Sequence, residues 1–270
     1  MEKESYRFPL SVQLVLPDDY RENDVFKRQL EILKSLGFSG VELNIENPGN
    51  VVLADIIRFL KSYNLRFSMF ASGLTAKTLN LSLSAADEGE RRRAVEECRA
   101  VVDFLANTKI PVIMGYIKGP GVPYRDRAVE QFKKSLKELA PYAKMKEVTL
   151  IVEATNRYET PVANSLKEAV EIVREAGNRF TRVLPDTFHM NIEEADMFSA
   201  LKECRDYYNH LHLSDNNRFF PGLGAIDFRR IVDFIKEMDY RGSLAIEGNI
   251  KNSFEEDIKE SMEYLAPLLK

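Results

Sequence analysis

Four acidic or imidazole side chains stand where apolar runs end. Glu153 closes "TLIVE", Asp186 closes "RVLPD", His212 lies within "HLHLSD" and Glu247 closes "LAIE". The chain holds only three histidines, His189, His210 and His212, each a few residues from an aspartate. Three carboxylates crowded together repel one another and are costly to desolvate, and a divalent cation removes that cost. Oxygen donors with a single imidazole suit Mn²⁺ first, with Mg²⁺ or Co²⁺ as alternatives, whereas structural zinc prefers thiolates and several imidazoles. The expectation is one divalent metal ion on Glu153, Asp186, His212 and Glu247, with His210 behind His212. Taken singly, each carboxylate is more readily a helix cap or surface acid, and a strand histidine a hydrogen-bonded core residue. Four such residues on four successive strands outweigh that reading and point to a metal.

The elements that must position them alternate along the whole chain. "FPLSVQLVL" and "GVELNI" read as strands, and "DVFKRQLEILKSLG" between them as a helix with Phe26, Leu30, Leu33 and Leu36 on one face and Gly37 as C-cap. Ser165 and Asp227 stand as N-terminal caps of later helices, and "EEADMFSALKECRDYY" reads as one further helix. About eight strand–helix pairs follow one another, the number that closes a barrel. The predicted fold is α/β, a single (β/α)8 TIM barrel over residues 1–270. A doubly wound open sheet should carry a glycine-rich turn after its first strand, and "LVLPDDY" has none. In a barrel, catalytic groups come from the C-terminal strand ends. Alternation puts His210, His212 and Ser214 on one face and Leu211 and Leu213 on the other, so the histidines should face the interior.

Composition limits the partners. With 44% apolar and 30% charged residues the chain reads as an ordinary globular protein. A net charge of −4 gives no general attraction to nucleic acid. No run approaches a membrane span and "MEKESYRFPL" lacks the apolar stretch of a signal peptide. Cys98 and Cys204 lie far apart in helical patterns, and the expected setting is cytoplasmic and free of disulfides.

The stretches "LIVEATNRYET", "LPDTFHMN", "HLHLSDNNRFFPGLGAIDF" and "AIEG" resemble motifs of the D-tagatose 3-epimerase-like enzymes, within the xylose isomerase-like sugar isomerase/epimerase superfamily. The resemblance is specific in the second half of the chain and covers the first half only through barrel periodicity. Ala225 departs from it, standing where the family form usually carries an acid. The resemblance implies the same four metal ligands, and it implies Glu153 and Glu247 as the exchanging base and acid. It also implies substrate-binding roles for Glu159, His189 and Arg218, a small-molecule sugar or sugar acid as partner, and a homodimer or homotetramer.

The implied reaction inverts the carbon beside a carbonyl through an enediolate, with a metal as Lewis acid and a carboxylate on each face. The substrate would be a ketose of the tagatose, psicose or fructose type, or a keto sugar acid of the 5-keto-gluconate or tagaturonate type. Lys118, in "GYIKGPG", is expected in a loop that overhangs the mouth, with Arg125 just beyond, and would pair there with a substrate carboxylate. An aldose–ketose isomerase would use the same metal and shift the carbonyl instead. A glycosidase needs only paired carboxylates and would survive chelation. A non-enzymatic sugar-binding barrel would exchange no proton with solvent, and metal-dependent DNA-repair barrels need more histidines than three.

Overall fold

Parallel strands need long return connections, and here helices supply them. The computed structural model describes residues 6–119 and 124–270. Its strands are β1 (Leu10–Val15), β2 (Gly40–Asn44), β3 (Arg66–Ala71), β4 (Val112–Met114), β5 (Leu150–Glu153), β6 (Thr181–Leu184), β7 (His210–Leu213) and β8 (Ser243–Ile246). They form one parallel sheet in the order β6-β5-β4-β3-β2-β1-β8-β7. The ends of that order, β6 and β7, meet through a single bridge between Asp186 and His212. The His212 N–H donates to the Pro185 carbonyl at 3.0 Å beside it. The Thr187 hydroxyl stitches the same edge, donating to the Ser214 carbonyl at 2.7 Å and accepting from the Ser214 N–H at 2.8 Å. The result is a nearly closed (β/α)8 barrel.

Strand alternation divides the side chains between two layers. Leu211, Leu213, Val152 and Val183 pack outward into the main apolar core beneath the helices. Met69, Ile113, Ile151 and Leu184 form a separate apolar cluster that fills the β3–β6 half of the interior. The β1, β2, β7 and β8 half instead carries polar residues in register, with Gln13 beside Glu42 and His210 beside Ser243.

Several helix ends follow their capping chemistry. Ser165 accepts from the Glu168 N–H, Asp227 from the Arg230 N–H, and Gly37 sits at φ 83° just past the first helix (Asp24–Ser35). The helix expected across residues 193–208 is shorter, Met197–Glu203, separated from a preceding helix that ends at Glu193 and followed by a 3₁₀ turn at Arg205–Tyr207. Asp196 accounts for the break, because its carboxylate accepts the Phe198 N–H and starts a new helix. Among the described residues no helix is long and apolar enough to cross a membrane.

Candidate active site

The C-terminal ends of β5 to β8 deliver Glu153, Asp186, His212 and Glu247 to one place, with one ligand atom of each within 4.8 Å of all the others. From His212 Nδ1 the nearest carboxylate oxygens are Glu247 Oε2 at 2.6 Å, Glu153 Oε1 at 3.6 Å and Asp186 Oδ2 at 3.7 Å. Asp186 and His212 are fully buried, Glu153 is nearly so, and Glu247 is the most open to the mouth.

Asp186 is oriented by a second task. Its Oδ1 accepts the N–H groups of Phe188 at 2.8 Å and His189 at 3.3 Å, capping the helix Thr187–Glu193, and this turns Oδ2 toward the cluster. Gly115, just after β4, leaves room for Glu153: a Cβ there would overlap Glu153 Oε2. Burial opposes charge on Asp186, but Arg218 and His189 outweigh it and hold its pKa low. Burial opposes charge on Glu247 too, and Arg218 and His212 again prevail. His212 sits between carboxylates on both nitrogens. Burial works against its cation, yet Glu42 and Glu247 overcome that and raise its pKa well above the usual histidine value.

The residues fit a divalent cation. Glu153 Oε1 is buried with no hydrogen-bond partner, three hard oxygen donors converge with one ring nitrogen, and neither cysteine, Cys98 nor Cys204, belongs to the cluster.

Around this centre stand three further residues singled out in the sequence. Arg218 lies over it, Nη1 donating to Asp186 Oδ2 at 2.8 Å and Nη2 to Glu247 Oε1 at 2.7 Å, with its guanidinium carbon 5.0 Å from the Phe188 ring centroid. His189 points Nε2 at Glu153 Oε1, 3.9 Å away. Its Nδ1 accepts the Asn156 backbone N–H at 3.2 Å, with the Asn156 amide 2.8 Å away, which assigns the ring proton to Nε2, facing the centre. Glu159, half-buried, lies 4.0 Å from His189 Nδ1 and 3.4 Å from the Asn156 amide.

Lys118 is elsewhere than expected. It does not overhang the mouth: it is fully buried in the barrel wall, Nζ donating to the Glu153 carbonyl at 2.5 Å and to Thr155 Oγ1 at 2.7 Å. The physical reason is the 3₁₀ turn Tyr116–Lys118, which folds the segment after β4 back against β5. Arg125, at the start of the helix Arg125–Met145, pairs with Glu168 at 2.6 Å instead of facing the centre. Residues 120–123 of the same loop lie outside the described residues.

Two participants escaped the sequence reading. Asn156, which sets the His189 tautomer, looked like one polar loop residue among several. Glu42, in β2, is fully buried, with Oε2 3.0 Å from His212 Nε2 and Oε1 2.6 Å from His210 Nε2. A carboxylate two residues after the glycine that opens an apolar strand was the available signal.

Fold and rim together define a (β/α)8 barrel with a carboxylate–imidazole centre suited to a divalent metal. Residues 30–268 match the family model described as xylose isomerase-like TIM barrel, and the chain belongs to that family. It is 37% identical to the D-psicose 3-epimerase of Enterocloster bolteae over 123 residues, 46% of this chain and 40% of that protein. To the L-ribulose 3-epimerase of Methylomonas sp. it is 28% identical over 216 residues, 78% of this chain and 74% of that protein. To the 3-dehydro-D-guloside 4-epimerase of Escherichia coli it is 32% identical over 117 residues, 43% and 45% of the two chains. The matches to the first and third of these relatives thus span less than half of each one's length. Among solved structures, the 3-keto-D-glucoside 4-epimerase of E. coli superposes with a TM-score of 0.78 at 21% identity, covering 97% of this chain and 98% of that one, which speaks for the shared barrel.

Proposed function

We propose that this protein is a divalent-metal-dependent epimerase of a ketose, inverting the carbon beside the carbonyl by removing a proton and returning one to the opposite face. One observation carries the reading: Glu153 and Glu247 flank a single buried imidazole from strands three places apart around the barrel, within one cluster of four converging ligands. The curated relatives named for epimerase activity support it.

Glu153, Asp186, His212 and Glu247 would hold the ion, with Mn²⁺ our first choice from the ligand set. When bound, such an ion supplies Lewis-acid stabilisation of the charge that develops on the substrate carbonyl. Glu247, more open to the mouth, takes or returns a proton on one face of the substrate, and Glu153, deeper in the barrel, does so on the other. The His189 Nε2–H and the Arg218 guanidinium aim donors at the same space and offset negative charge on the substrate oxygens. Asn156 keeps the His189 proton on the nitrogen that faces the centre. Glu159 stands at the mouth to accept a hydroxyl hydrogen bond.

We take a neutral ketose as the substrate class. The burial of Lys118 supports this choice, since the cation nominated to select a sugar acid is committed to the barrel wall. An aldose–ketose isomerase remains the second reading, because the same centre serves carbonyl shift. The test incubates the protein with Mn²⁺ and psicose, tagatose, fructose or ribulose in D₂O. Deuterium beside the carbonyl with an epimeric ketose as product is expected; an aldose product selects the isomerase, and turnover that survives chelation refutes both. Glu153→Gln and Glu247→Gln should each lower turnover about 10²–10⁴-fold, the usual worth of a general acid–base group. Metal content is measured beside activity, and a metal-loaded variant with near-normal turnover excludes that glutamate as a proton carrier.

A further inference from the structure

The metal centre proposed above explains one nitrogen of His212 and leaves the other to be accounted for. Nδ1 faces Glu153, Asp186 and Glu247, while Nε2 points the opposite way, into the closed part of the barrel, where Glu42 Oε2 lies 3.0 Å from it. Glu42 belongs to β2, 170 positions earlier in the chain, and is fully buried. Its other oxygen, Oε1, lies 2.6 Å from His210 Nε2, close but without hydrogen-bond alignment. His210 is anchored in turn, its Nδ1 2.6 Å from the Ser243 hydroxyl on β8. The polar string Ser243–His210–Glu42–His212 thus crosses the half of the barrel opposite the apolar cluster of Met69, Ile113, Ile151 and Leu184. Apolar side chains of similar size would fill that volume without desolvating a charge, as those of the cluster do on their side.

We propose that Glu42, braced by His210, is a positioning residue: its carboxylate takes the Nε2–H of His212 and so presents the Nδ1 lone pair to the metal centre. Carboxylates face both ring nitrogens; a cation held among Glu153, Asp186 and Glu247 would displace the Nδ1 proton, whereas the Glu42 carboxylate, which can only accept, keeps the one on Nε2. The other nitrogen is then the one available to a cation, and the ring cannot turn over without losing the contact. A carboxylate behind a ligating imidazole also strengthens it as a donor, and removing such partners typically weakens metal affinity about 10–100-fold. The inference rests on the metal-centre reading, and its test separates the two.

The experiment measures Mn²⁺ affinity of the full chain from the free Mn²⁺ electron paramagnetic resonance signal. It compares the unaltered protein with Glu42→Gln, which keeps volume and removes charge, and Glu42→Asp, which keeps charge and shortens the reach. In the Mg²⁺-loaded unaltered protein, long-range ¹⁵N–¹H correlation reports which nitrogen of His212 holds its proton. Expected are a dissociation constant raised about 10–100-fold in Glu42→Gln, a smaller rise in Glu42→Asp, unchanged circular dichroism, and a His212 proton on Nε2. A Glu42→Gln protein that binds Mn²⁺ within twofold of the unaltered chain overturns the proposal. So does a His212 proton on Nδ1 in the Mg²⁺-loaded protein, a result that needs no variant to fold. Absence of saturable Mn²⁺ binding by the unaltered chain removes the metal reading itself, and this inference with it.

Discussion

The two oxygens of Asp186 face different tasks, and a substitution can separate them. Oδ1 caps a helix through two backbone N–H groups, and Oδ2 faces His212 and Arg218. Asp186→Asn keeps a capping oxygen and removes an anionic ligand. It should therefore cost metal affinity far more than it costs the stability of the chelated protein, and Mn²⁺ titration beside a denaturant melt checks the contrast. Lys118 offers a pH signature. Burial pushes it down to about 7 from an ordinary 10.5, with Glu153 opposing. Between those values the unfolded chain holds a proton here that the folded chain does not, so this residue makes stability climb with pH from about 7 to 10.5. Lys118→Met should remove a climb of at most ~1.4 kcal/mol per pH unit, and melts at three pH values in that window that ran parallel for both proteins would contradict this. Glu153, Asp186, His212 and Glu247 were legible as a group because each ends or sits in an apolar strand, where parity fixes its face. Glu42 was not, because the fact that matters about it is a contact 170 residues away. Lys118 was misread because a short 3₁₀ turn, which no periodicity announces, reversed its direction.

The loop after β7 shows how an element can be held by one buried carboxylate. Asp215 is fully buried, and its Oδ2 accepts the N–H groups of Gly222 and Gly224, both at 3.0 Å, while Oδ1 accepts that of Ile226 at 2.9 Å. A Cβ on Gly224 would overlap the Asp215 carboxylate, so glycine is required there for close approach. Within the same loop Arg218 adopts φ 63°, a conformation that side-chain-bearing residues rarely take, and from it reaches Asp186 and Glu247. Asp215→Ala leaves four N–H groups, those of Asn216, Gly222, Gly224 and Ile226, without their anion. It should cost at least ~2 kcal/mol in a denaturant melt and raise KM more than it lowers kcat. An unchanged KM would show that Arg218 is held by its ion pairs alone. The sequence of this loop, "RFFPGLGAID", carries a proline and two glycines that allow a tight path. It did not show Asp215 as the post around which the path winds, since an aspartate at a strand end reads equally as a cap.

At the scale of the whole molecule, the alternation of strands and helices was enough to reach the barrel, because parallel strands buried on both faces leave a plain apolar signature. Nothing in that alternation indicates where the ring of strands is weakest. Seven of the eight strand-to-strand borders are ladders of paired residues, whereas β6 and β7 meet at Asp186 and His212 alone, helped by the Thr187 hydroxyl. Both bridging residues are proposed metal ligands. Local opening of proteins begins where few contacts resist it, so this border is where the barrel should breathe first. An ion bound there would act as a clasp on the ring as well as a reagent. The backbone amides of His212 and Ser214 should then exchange hydrogen faster in the chelated protein and slow markedly when Mg²⁺ or Mn²⁺ is restored, while amides of the β1–β2 ladder change little. The melting temperature should rise with metal concentration in step, by mass action on the closed form. Uniform slowing around the ring would assign the stabilisation to the barrel at large. Confinement to β6 and β7 would mean that loss of the ion also unlatches the scaffold that holds its ligands.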